Sequence, residues 1–207
     1  MAHCLVNDTP QMFDFSPETW GQMLSTLDRA LVADRRVVTA VRFDGVDQPS
    51  FRTGAAAVAD LSRIARVDID AEDATALLIG AVDAAIGSLP GLVTGVRITA
   101  AAVRDGAGDA QTQLVALVAA VQSLVALTAA AATAAQVSAG DAGEADADAD
   151  APIVAGCHEL ETALHGLVAH QAGEHWVALA DALDATLAPA IARWNDVLEP
   201  IRERAQA

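Results

Sequence analysis

Four of the five histidines crowd into one stretch, as His158, His165, His170 and His175. If this stretch is helical, His158, Glu161, Thr162 and His165 share two adjacent turns of one face. Glu161 with His165, and His170 with Glu174, are four-residue neighbours. Imidazole and carboxylate groups on such a face are ligands for a divalent transition metal. A set of His158, Glu161, His165 and His170 would imply a metal-binding or metal-dependent helical-bundle enzyme. The spacing matches neither the His-Glu-x-x-His zinc signature nor the paired Glu-x-x-His of di-iron bundles, which also draw on facing helices. The plainer expectation is that His158 and His165 are solvated residues opposite Leu160, Leu164 and Leu167, and that no cofactor is bound.

Nucleophilic chemistry has less to build on. Lys and Tyr are absent, which removes Schiff-base and phenol chemistry. Cys157 beside His158 makes no catalytic pair, because adjacent helical residues point about 100° apart. Cys4 falls in a start expected to be disordered, and two distant cysteines suggest no disulfide framework. There is no Gly-x-Ser-x-Gly elbow, Walker loop or dinucleotide fingerprint; Gly106-Ala107-Gly108 reads as a helix breaker. An enzyme is therefore the less favoured reading. No motif carries a family resemblance.

The chain has 207 residues, 28 acids against 12 Arg, and a net charge of -16. A nucleic-acid binder needs the opposite balance. Residues 1–100 hold eight Arg against 13 acids, a net of -5, and residues 101–207 hold four against 15, a net of -11. From Asp105 to Ala192 there are 12 acids and no Arg. Such acidity keeps an Ala-rich protein soluble, and it also steers toward a basic partner. No charge interrupts Ala110–Gly140, which is long enough to span a bilayer. Its many alanines, its repeated Gln111, Gln113, Gln122 and Gln136, and the absence of flanking aromatics favour a bundle helix over a membrane span. Met1–Pro10 lacks the basic start and apolar run of a secretory signal.

The elements that must position these residues differ between the two parts of the chain. Ser16-Pro17-Glu18 reads as a helix start, followed by Trp20, Met23, Leu24, Leu27 and Leu31 on one face, with an end near Asp34-Arg35. Val37–Phe43 is β-branched and leads into Asp44-Gly45, a type I′ hairpin signal. A short helix over 54–62 and a strand over 65–70 complete a small α+β module, residues 1–70, with a short hairpin plus one more strand. Charged Arg35, Arg36 and Arg42 near the hairpin edge are candidate interaction residues.

Residues 71–207 read as an antiparallel bundle of about five helices. One helix opens at Glu72-Asp73 and is expected to break at Gly87–Gly91; the next runs over 92–104. A third spans Ala110–Val137, followed by a flexible acidic loop over 138–151. The last two helices are expected over 153–172 and 174–204. The final one carries Trp176, Leu179, Leu183, Leu187, Ile191, Trp194, Leu198 and Ile201 as a stripe kinked at Pro189. Trp176 and Trp194 could pack internally or against a partner helix, and internal packing is favoured.

The fold class expected is thus mainly α, with a small N-terminal α+β module. The function expected is non-catalytic protein–protein contact, as an adaptor, small chaperone or assembly subunit. It would be a bacterial-type cytoplasmic protein with a protein partner or self-association, no nucleic acid and no membrane span.

Overall fold

Why Val37 to Phe43 becomes a strand is plain from its β-branched residues and the turn that follows. The computed structural model describes residues 3–11, 17–138 and 147–206, mostly helical with a small N-terminal mixed sheet. The chain divides into two units, Met1–Leu77 and Leu78–Ala207.

Among its described residues the first unit holds five strands: β1 (His3–Val6), β2 (Thr9–Pro10), β3 (Arg36–Phe43), β4 (Val46–Asp47) and β5 (Arg66–Asp73). Their order is β2-β1-β5-β3-β4, with β1 parallel to β5 and β3 antiparallel to it. Asp44 and Gly45 take φ values of 49° and 82°, the left-handed pair that a type I′ turn requires. Two expectations are corrected here. The sheet has two hairpins rather than one, and Cys4 lies in a strand with 4% of its surface exposed. A four-residue strand has no readable period, and β1 exists because β5 pairs with it. Asn7 extends that pairing: its side chain donates to the Ala71 carbonyl at 2.9 Å and accepts from the Ala71 N–H at 2.8 Å. β5 also continues to Asp73, past the residue-70 limit expected for the module.

Helix α1 (Trp20–Ala33) starts at Thr19, whose hydroxyl caps the Gln22 N–H, and not at the expected Ser16, which lies outside the described residues. Its stripe of Trp20, Met23, Leu24, Leu27 and Leu31 shares a core with Cys4, Val6, Val38, Val41, Val67, Ile69 and Ala71. Trp20 is fully buried; its Nε1 donates to the Phe51 carbonyl at 2.6 Å and Phe43 meets it edge-on. The short helix expected over 54–62 shrinks to α2 (Gly54–Ala57) and a 3₁₀ turn at Leu61–Arg63.

Helix α3 (Ala74–Arg104), which belongs to the second unit from Leu78 on, runs unbroken through Gly87, Pro90 and Gly91, against the expected interruption. An interior Pro costs a helix about 3 kcal/mol and each Gly about 1. The burial of Leu78, Val82, Leu89, Val96, Ala100 and Val103 on one core offsets that cost. Helix α4 (Ala110–Ser138) falls where its pattern placed it, and α5 (Ala147–Ala172) begins earlier than expected, with Pro152 inside it. The acidic loop is therefore corrected at its far end, since residues 147–151 are helical; residues 139–146 lie outside the described residues.

The expected last helix is divided: α6 (Trp176–Ala182), a π-helical turn at Leu183–Leu187, α7 (Ala188–Ala192) and α8 (Asn195–Gln206). Leu179, Leu183, Leu187 and Ile191 are spaced by fours, and each four-residue step on an α-helix overshoots a full turn by about 40°. The wider turn, in which the Ala188 N–H bonds the Leu183 carbonyl five residues back, holds the four in register. All four, with Trp194, Leu198 and Ile201, are essentially buried. Helix α4 packs on α8, and α5 packs on α6, α7 and α8.

Candidate functional site

His158, His165 and His170 lie on α5, as expected, whereas His175 falls between α5 and α6, and the side chains do not converge. His158, Glu161 and His165 are exposed on α5, and His170 is half-buried. The Nδ1 of His165 lies 3.0 Å from the Glu161 backbone carbonyl and donates there, which leaves Nε2 as the open nitrogen of the ring. The rings of His170 and His175 stand 6.5 Å apart, centre to centre. Among the described residues, no group of three or more His, Cys, Asp or Glu side chains is placed to hold a metal ion. One helix supplies the side chains, and the α4 face opposite carries Gln122, Val125 and Ala126. Protein dialysed against trace Zn, Fe and Ni is expected to retain much less than one metal per chain by elemental analysis. A stoichiometric metal would overturn that expectation.

An apolar groove of about 500 Å³ between α4 and α5 is lined by Val125, Leu160, Leu164 and Val168, with Cys157, Glu161 and His165 along it. Burial raises the Cys157 thiol above its ordinary pKa, which keeps it protonated and poorly nucleophilic. Cys4 is pushed up to about 11, first by burial and then by the nearby Asp68 charge. Neither cysteine is poised for covalent chemistry.

The arginines proposed from sequence separate in the same way. Arg42 makes a bidentate pair with Asp70 at 2.9 and 3.0 Å, a contact that raises its pKa, and Arg36 donates to the Ala71 carbonyl at 2.6 Å. Arg42–Asp70, Thr39–Glu72 and Arg66–Asp68 lie on the face of the sheet opposite α1, whereas Arg36, in register with Asp73, alternates onto the Val38 side. Arg35 is exposed at φ 52° in the turn before β3. Trp194 is 1% exposed and donates from Nε1 to Thr128 Oγ1 at 3.0 Å, so it belongs to the core. Trp176 is 46% exposed and belongs to the surface.

A cavity of about 470 Å³ that sequence reasoning missed lies at the α3–α4 turn. Val103, Leu114 and Trp176 supply apolar walls, and Arg104, Asp105 and Gln111 supply polar groups. The Arg104 guanidinium is held by Asp184 at 3.1 Å and Asp181 at 3.2 Å, which keeps it charged above its ordinary range. One signal was available in the sequence: Arg104 is the last base before the long acid-only stretch.

The chain is thus a mainly helical protein with a small N-terminal mixed sheet and, among the described residues, no group of side chains placed to hold a metal ion. No protein-family model matches the chain, and neither a curated protein nor a solved structure is found to be similar to it.

Proposed function

We propose that this chain is a non-catalytic protein that works by protein–protein contact, as an adaptor, small chaperone or self-assembling subunit in the cytoplasm. One observation carries the reading: α3 and α4 are far more apolar than their burial explains. Each is long and apolar enough to cross a membrane, yet only 22% and 33% of their most apolar stretches are buried. Ile98 and Val115 are more than half exposed. Gly80, Gly87, Gly91 and Gly95 on α3 face open space, where a Cβ would meet nothing within 4 Å. Glycines inside a helix are costly, and they allow close approach of a second backbone. Exposed apolar surface of this kind marks contact with a protein or a membrane, and the glutamines spaced through α4 with no flanking aromatic favour a protein. The five-residue turn between α3 and α4 suits an antiparallel pair, and we take the second unit to be an antiparallel bundle.

The test uses the full chain, tagged in its native host and also purified alone. The expected result is a stoichiometric protein partner or a homo-oligomer, lost at least tenfold in an Ile98→Glu/Val115→Glu variant. A monomer without a stoichiometric partner, or quantitative partition into a detergent phase, would overturn the proposal.

A further inference from the structure

Trp176 lines two adjoining hollows. One is the 470 Å³ cavity at the α3–α4 turn; the other is a shallower depression bordered by Glu174, His175 and Asp181. The other two tryptophans are buried, at 0% and 1% exposure, so this indole alone offers an open face. The charges around it sum to a negative: Arg104 lines the first hollow too, but four carboxylates, Asp105, Glu174, Asp181 and Asp184, stand against that one cation. Asp105 lines the first hollow, Glu174 and Asp181 the second, and Arg104 is already clasped by Asp181 and Asp184. No Lys or Arg follows Arg104 until Arg193. Such a mouth repels phosphates, anionic headgroups and acidic peptides, and it attracts cations. Its walls ask for an apolar stem as well: Val103, Leu114 and the indole cannot satisfy a bare metal ion.

From this combination we infer that Trp176 is the anchor of a docking site for a basic protein segment, taking a Lys or Arg side chain. The aliphatic stem lies along Val103 and Leu114, the cationic head meets the indole face, and Asp105 and Glu174, the carboxylates not clasping Arg104, flank it from the two hollows. A volume of about 470 Å³ lies within the usual range for a specific pocket, about 300–1,000 Å³. The inference rests on the interaction reading above and names the chemistry of the partner.

The probe is a synthetic hexalysine amide, titrated into the purified full chain and followed by calorimetry and by acrylamide quenching of Trp emission. The expected result is saturable binding that shields the accessible indole, weakens as salt rises, and is not reproduced by hexaglutamate. Trp176→Ala is expected to weaken binding about three- to fivefold, the scale of an exposed cation–π contact, and Trp176→Phe to restore part of it. Glu174→Gln, outside the core, is expected to weaken it independently. Equal affinity in the wild type and Trp176→Ala, or peptide binding that leaves the quenching unchanged, would overturn the site and reduce the effect to diffuse charge attraction. The titration needs no native partner. A failed capture from the host would therefore sink the interaction proposal while this result stands on its own.

Discussion

Trp194→Ala is expected to lower the unfolding free energy by about 3–5 kcal/mol, the range for truncating a large buried aromatic. The side chain is 1% exposed within a core that includes Leu160, Leu179, Leu187, Ile191 and Leu198. Its indole N–H donates to Thr128 Oγ1, and the Thr128 hydroxyl donates in turn to the Leu124 carbonyl at 2.8 Å. Two further variants separate packing from polarity. Trp194→Phe keeps most of the apolar contact and removes one donor. Thr128→Val leaves a buried indole N–H without an acceptor, a loss of about 1–3 kcal/mol. The double variant should lose less than the two singles combined, because each removes the same bond. Urea unfolding followed by circular dichroism reads all four. A Trp194→Ala loss under about 1 kcal/mol would show that this packing does not hold the unit together.

The second large effect comes from adding atoms. A Cβ at Gly156 on α5 would stand 2.3 Å from Val197 Cγ2 on α8, and 3.9 Å from the Trp194 ring. Val197 is 4% exposed and β-branched, so its methyl has few rotamers in which to retreat. Overpacking of this kind costs about 1–3 kcal/mol, whereas Gly→Ala in a helix by itself gains about 1. Gly156→Ala is therefore expected to destabilise the protein in its natural background. In a Val197→Ala background, where the clashing methyl is gone, the same change should become neutral or stabilising. A change of sign between the two backgrounds identifies close α5–α8 approach as the reason glycine stands there; the same effect in both would refute it.

Some of this architecture is legible in the sequence. Asp44-Gly45 specified its hairpin because a two-residue turn depends on φ values that those two residues tolerate. The α1 stripe was legible because its neighbours in space are three and four residues apart in sequence, and α4 was legible as an uncharged run between Asp109 and the acidic segment. β1 was not, because the pairing that covers all of His3–Val6 comes from β5, some sixty residues on. Continuity of α3 across Pro90 was hidden for a similar reason: the local signal says break, and burial elsewhere outweighs it. The π turn had a trace in the four-four-four spacing of Leu179, Leu183, Leu187 and Ile191, which reads as a kink at Pro189 until the packed core shows what holds it.

The candidate sites divide along the same line. Composition alone determined that Lys and Tyr chemistry is absent, that the surface is acidic, and that the bias is stronger in the second half. Spacing alone determined that the histidine segment could be helical. Tertiary structure decided what lies beside what. His158, Glu161 and His165 meet solvent and an amide-and-aliphatic helix face instead of one another, and Arg104 reaches carboxylates 77 and 80 residues away. Trp176 and Trp194 begin as members of one stripe, yet one is half exposed and the other sealed in the core. Periodicity reports which residues share a face of their own helix. What covers that face depends on how distant helices close around a common core, and that is fixed by packing, with no local pattern to record it.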